Sequence, residues 1–225
     1  MKIKNIVPLL LLFCFATFIT PAKGQDKQEE KINEATTVLQ DFNLMKEDIP
    51  AELFKVAHGI IVIPKLINAG FVLAGKRGKG LAMVKLDDGS WSNPVFVTIT
   101  GGSVGFQAGV QSIDLVLIFK NAATLQDIGK GSFTLGGDIS VAAGPVGRNS
   151  SASTDYKMEA EVYSYSKSKG LFAGISLSGS AISIDQKANE AFYKNDEDAK
   201  TLFSEKDYDS DAVDRLKLSL KEIYN

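Results

Sequence analysis

GIIVIPKLINAGFVLAGKRGKGLAMVKL, residues 59–86, establishes the β character of this chain. Its opening, Gly59-Ile60-Ile61-Val62-Ile63-Pro64, is a continuous apolar run suited to a strand buried on both faces, and Pro64 predicts its end because proline cannot donate to a ladder. Phe71–Ala74 and Leu81–Leu86 read as strands on either side of the turn-rich GKRGKG at Gly75–Gly80, together a hairpin. Asp87-Asp88-Gly89 supplies the next turn.

The same signature continues to residue 179. Nineteen of the 20 glycines lie between Gly59 and Gly179, whereas residues 25–58 and 180–225 contain none. Glycine supplies positive φ at turns and bulges and weakens helix interiors, so this division marks a β core between helical flanks. Val95–Ile99, a Gly101-Gly102 corner, Val104–Val110, Ile113–Phe119, a short helix at Asn121–Ile128, Phe133–Ala143, Tyr156–Tyr165, Leu171–Ser178 and Ala181–Ile184 follow in order. Roughly nine short strands with few crossover helices predict an α+β fold, a mostly antiparallel sheet curled into a barrel or sandwich and flanked by N- and C-terminal helices.

In the first flank Ile32, Ala35, Leu39, Phe42 and Met45 recur at helical spacing, and Pro50 suits the first turn of a short helix through Ala57. In the last, Val213, Leu216, Leu220 and Ile223 share one stripe of a helix over Asp211–Tyr224. Asp185–Asp214 holds ten acids and four lysines, whereas Lys65–Lys85 holds Lys65, Lys76, Arg77, Lys79 and Lys85 and no acid.

Met1–Gly24 has the form of a secretory leader, with Lys2 and Lys4, an apolar run through Ile19 and the small-residue site Ala22-Lys23-Gly24, so export with cleavage after Gly24 is expected. Cys14, the one cysteine, follows the bulky Phe13 inside the apolar run, which argues against lipoprotein processing and leaves a cysteine-free mature chain. Without the leader's three lysines, 22 Lys and Arg face 27 Asp and Glu, a net charge of −5. That balance excludes nucleic acid as a partner by global attraction.

Catalytic chemistry finds little footing. Ser164-Tyr165-Ser166-Lys167 and Ser166-Lys167-Ser168-Lys169 match S-x-x-K but fall at a strand end, whereas that motif needs a helix start. His58, the one histidine, is expected at a helix-to-strand junction with its ring satisfied by backbone. One histidine cannot build a zinc site, and Asp207-Tyr208-Asp209-Ser210-Asp211 lacks the glycine and glutamate of a calcium loop, so no metal and no cofactor is expected. Asp114 interrupts an apolar strand, and its expected role is to accept N–H groups at a turn.

The runs AHGIIVIPKLINAGFVLAGKRGKG (57–80), WSNPVFVTITGGSVGFQAGVQSIDLVLIFKN (91–121), FTLGGDISVAAGPVGR (133–148) and YSYSKSKGLFAGISLSGS (163–180) resemble the SYLF domain, also called the yeast actin-patch family. The resemblance covers about Leu39–Tyr193, with the leader and the tail after Asn195 outside it, so the expected boundaries are 1–24 for a signal peptide, 25–195 for the SYLF-type domain and 196–225 for an acidic helical tail. It also implies a domain without known catalysis. Its eukaryotic members bind phosphoinositide membranes through a basic surface and an amphipathic N-terminal helix, and some bind actin.

Transferred to an exported chain, the resemblance implies a non-catalytic envelope protein that binds anionic phospholipid or phosphoinositide-type headgroups, with cytosolic actin set aside. The lipid contact is expected on Lys65, Lys76, Arg77 and Lys79, helped by Arg148 and the helix over Ile32–Met45. A structural or protein-interaction module is the first alternative and an uncharacterised hydrolase the second.

Overall fold

The computed structural model describes residues 22–43, 53, 55–126, 128, 131–144, 159–169, 171–172, 175–205 and 207–224. The leader up to Pro21, Arg148 and the first residues of the strand expected from Tyr156 lie outside them. Helix α1 (Ala22–Asn43) is followed by two long strands, β1 (Gly59–Val84) and β2 (Val95–Phe119). Then come α2 (Ala122–Gln126), β3 (Phe133–Leu135), β4 (Val141–Ala143), β5 (Val162–Ser168), β6 (Leu171–Phe172) and β7 (Ser180–Ile184), closed by α3 (Gln186–Tyr193), α4 (Ala199–Ser204) and α5 (Asp211–Tyr224).

β1 and β2 pair antiparallel from Ala82↔Val95 beside their connection to Gly59↔Phe119 at the far end. The other edge of β2 takes β7 over Val97–Gly101 and β5 over Asp114–Phe119, which gives the order β3-β7-β2-β5-β4 with β6 on β5. Among the described strand pairs only β4 on β5 runs parallel. The sheet is thus mostly antiparallel and nearly closed into a barrel, with helices at both chain ends, as expected.

Two features expected from sequence are corrected. Pro64 does not end the strand: Ile63 faces Leu115 and Leu66 faces Ile113, so Pro64 and Lys65 oppose Asp114 alone in a β-bulge, where a missing N–H is tolerated. Neither is GKRGKG a hairpin turn nor Gly101-Gly102 a corner, because Gly75–Gly80 pair residue by residue with Val97–Gly102 inside one ladder. Two strands of about 25 residues therefore replace several short ones, and bulges near Lys65 and Phe71 let the ribbon curl while it stays paired.

α1 packs on β1 and against α3 and α5. Its stripe of Ile32, Ala35, Leu39 and Phe42 is buried, as are Val213, Leu216, Leu220 and Ile223 of α5. Residues beyond Asn195, expected as an acidic helical tail outside the domain, thus contribute to the same core as the sheet. Phe192 stacks edge-on with Phe96 (5.4 Å between centroids), Tyr193 and Tyr208 both pack on it, and the Tyr208 hydroxyl donates to the Phe192 carbonyl at 2.9 Å. The Asn189 side chain accepts from Phe96 N–H at 2.9 Å and donates to Phe96 C=O at 3.1 Å, anchoring α3 to β2.

Candidate functional site

Along the second half of β1, Lys76, Gly78 and Gly80 are buried while Gly75, Arg77 and Lys79 are exposed, the period of two that a strand imposes. A Cβ on Gly78 would stand 2.5 Å from Ile63 Cγ2 and 3.3 Å from Leu66 Cα, and one on Gly80 would stand 2.8 Å from Ile63 Cα. The second half of β1 therefore lies on its own first half through its glycine face, and Arg77 and Lys79 point to the opposite, exposed face.

The cations of β1 differ in state. Lys65 adopts φ 52° in the bulge, its N–H donates to Asp114 Oδ1 at 2.9 Å, and its ammonium reaches Glu34 of α1 at 2.7 Å. Burial raises the Glu34 carboxyl, yet the hydrogen bonds from Lys31 and Lys65 outweigh it and hold the group below the usual glutamate value. The bond to Glu34 in turn raises the Lys65 amine. Lys79 pairs with Asp185 at 2.6 Å, the residue whose carboxylate also caps α3.

Lys76 is only 4% exposed, and its amine donates to the Ser176 carbonyl; burial lowers its proton affinity. Among the described residues Arg77 alone of these four has no bonded partner. No tip of three free cations forms. The apolar face of α1, which the resemblance offered to a membrane, is occupied by the core.

The remaining sequence candidates are structural. His58 sits between a helical turn and β1, with Nδ1 2.9 Å from the Val56 carbonyl. Asp114 accepts an N–H as expected, at a bulge rather than a turn. Ser164 and Lys167 both lie on β5, where a spacing of three puts them on opposite faces; the serine donates to the Ala142 carbonyl and the lysine pairs with Asp41. Asp211 opens α5, and no three described carboxylates or histidines are placed to hold a metal ion.

A feature that sequence reasoning missed is an open cleft of about 1030 Å³ between the turn at Lys85–Trp91 and one side of α5. Asp214, Lys217, Leu218 and Lys221 line it, the i, i+3, i+4, i+7 stripe opposite the helix's buried face. Trp91, Asp207, Tyr208 and Asp209 also line it. The turn is closed by Leu86 N–H to Ser90 C=O at 2.8 Å and Gly89 N–H to Leu86 C=O at 2.9 Å, with Gly89 at φ +81°. The signal that could have found the cleft is Leu218, a leucine off the apolar stripe of its helix.

A family model described as "Ysc84: Las17-binding protein actin regulator" matches residues 100–223. The chain is 42% identical over 162 residues to an SH3 domain-containing protein of Schizosaccharomyces pombe, across 71% of this chain and 37% of that protein. It is 38% identical over 171 residues to LAS seventeen-binding protein 3 of Saccharomyces cerevisiae, across 75% of this chain and 37% of that one. Over 175 residues it is 36% identical to SH3 domain-containing YSC84-like protein 1 of Homo sapiens, across 77% of this chain and 51% of the relative. The chain thus spans about half or less of the length of these relatives.

These matches correct one expectation. Lipid as the sole partner, with actin set aside, does not stand beside a family described as an actin regulator and a relative named for binding Las17. The family match also runs to residue 223, past the point near Tyr193 where the resemblance read from sequence stopped.

Proposed function

The chain belongs to the Ysc84 family, and from that premise we propose that it is a non-catalytic binding module, meeting an anionic lipid surface at the outer face of β1 and a protein partner of the actin-regulating kind elsewhere. The observation that carries the lipid reading is the outward alternation of Arg77 and Lys79 on a strand with no acid between Lys65 and Lys85. Each cation near an anionic surface contributes about 1 kcal/mol, and a Debye length of about 8 Å lets a local patch act on a net-negative protein. The family description and the relative named for Las17 support the protein reading.

Co-sedimentation with vesicles of phosphatidylcholine alone and with one-third phosphatidylserine tests the lipid arm. Binding to the second only, weakened by salt, is expected; equal recovery in both would remove the reading. A turnover reading has no comparable support, since Ser164 and Lys167 lie on opposite faces of β5. Export remains part of the proposal, on the strength of the leader at Met1–Gly24. An exported chain would meet lipid but not a cytosolic protein, so the compartment selects which arm operates.

A further inference from the structure

The cleft beside α5 combines three properties that together define a ligand. Its walls are preformed: the Lys85–Trp91 turn is closed by its own hydrogen bonds, and α5 is held by the burial of Val213, Leu216, Leu220 and Ile223. Tyr208 is fixed by its bond to the Phe192 carbonyl, and burial, then the charges of Glu29 and Asp209, raise its hydroxyl so that the donor stays protonated. Fixed walls reduce the ordering penalty of association.

Its lining includes an exposed apolar side chain. Leu218 is 57% exposed between charged neighbours on the same stripe, and Trp91 lines the same cleft. A leucine so placed gains nothing from the fold, whereas covering it removes apolar surface from water.

Its free charge is negative. Of the three lysines on the rim, Lys217 donates to Asn93 Oδ1 at 3.2 Å and Lys85 is engaged within the chain, so Lys221 alone stands as an unpaired cation among the described residues, against three unpaired acids. Asp207, Asp209 and Asp214 have no cation partner among the described residues. Asp214 lies in the first turn of α5, where it offsets the helix dipole, but Asp207 and Asp209 precede the helix, where that explanation fades. The buried Asn93 behind the cleft also leaves its Nδ2 without a partner.

We infer that this cleft is the docking groove for a short basic segment of a protein partner. A large aliphatic side chain of that segment covers Leu218 and Trp91, and flanking arginines or lysines meet Asp207, Asp209 and Asp214. An anionic lipid surface is the wrong sign for these three acids. The inference goes beyond the family reading, which assigns no residues to a protein contact, and it is independent of the lipid contact on β1.

Trp91 is the chain's one tryptophan, so its emission reports on the groove directly. The probe is a tryptophan-free decapeptide with two arginines on each side of a Leu-Leu pair, compared with its glutamate counterpart. The basic peptide should shift the emission saturably and the acidic one should not. In Asp207→Asn/Asp209→Asn/Asp214→Asn the affinity should fall by about tenfold or more, as loss of complementary charge implies. Leu218→Ser should weaken it severalfold with unchanged melting, because both sets of residues are on the surface. Vesicle co-sedimentation should be the same in all these variants, which separates failure of the groove from failure of the lipid reading. Equal response to both peptides, unchanged affinity in the triple variant, or no saturable signal by emission or calorimetry at millimolar peptide would overturn the groove.

Discussion

Gly80 sets its backbone directly against the carbonyl of Val62, earlier in the same strand, at a spacing that leaves no room for a Cβ. Gly78 stands in the same relation to Ile63 and Leu66. The curl of β1 is therefore built on two inward glycines, and the cations between them are outward because a strand's faces alternate. Fold closure and the exposure of Arg77 and Lys79 share one cause.

Alanine at Gly80 and at Gly75 should consequently behave in opposite ways. At Gly80 the new methyl group meets backbone atoms that cannot turn aside, so destabilisation of about 3 kcal/mol or more is expected, the upper range for overpacking. At Gly75 nothing lies within 4 Å and the residue is exposed, so alanine should be neutral or stabilising by about 0.5 kcal/mol. Urea denaturation of the two variants decides it: comparable losses at both sites would refute the close-packed ribbon.

The helical flanks were legible because burial repeats at helical spacing, as Ile32, Leu39 and Phe42 show, and because nothing else competes for those residues. GKRGKG was misread because glycine serves turns and close strand packing equally well, and Val62, the contact that distinguishes the two, is far away in sequence. A period of two, Gly78 and Gly80 inward with Arg77 and Lys79 outward, was present in the string. Of the basic cluster, residue types were legible but states were not: nothing local shows that Lys76 is buried or that Lys79 is paired with Asp185.

Asp114 should be a stability residue only. Asp114→Ala leaves the Lys65 N–H in the bulge without its acceptor and should cost about 1–2 kcal/mol, the usual penalty for a lost partner. Asp114→Asn keeps an oxygen in place and should cost less. Melting of both proteins checks the order, and vesicle binding corrected for folded fraction should not change.

Lys76 should give the protein an alkaline signature. Burial lowers its amine from the ordinary 10.5, so in the window below that value the unfolded chain binds the proton more tightly than the folded one. Stability contributed by this group therefore rises with pH up to about the unfolded value, as the penalty of a buried ammonium is relieved. Lys76→Met, which keeps the stem and drops the charge, should flatten that rise in the window below the ordinary 10.5. Parallel pH profiles in parent and variant would mean that the ammonium is solvated.

Export has a direct readout. If the leader acts as its residues suggest, protein recovered from the producing cell begins at Gln25 and carries no acyl mass, because Cys14 leaves with the leader. Intact mass spectrometry of envelope and cytosolic fractions measures this. A chain retaining Met1 in the cytosol would instead assign the protein-binding arm to the cell interior.

The lipid contact should depend on its cations in an order set by their partners rather than by their charge. Arg77 is exposed and unbonded among the described residues, so Arg77→Ser should remove about 1 kcal/mol of vesicle binding, about fivefold. Lys79 and Lys65 must first leave Asp185 and Glu34, so Lys79→Ser and Lys65→Ser should each weaken binding less, because part of their interaction with the surface replaces an ion pair already made. Lys76→Met should leave vesicle binding intact, since its amine lies on the Ser176 carbonyl inside the fold. Co-sedimentation with phosphatidylserine vesicles at low and physiological salt ranks the four variants. Should Lys76→Met prove as damaging as Arg77→Ser, the buried lysine must swing out on contact, and the outward alternation of β1 would not by itself define the binding face.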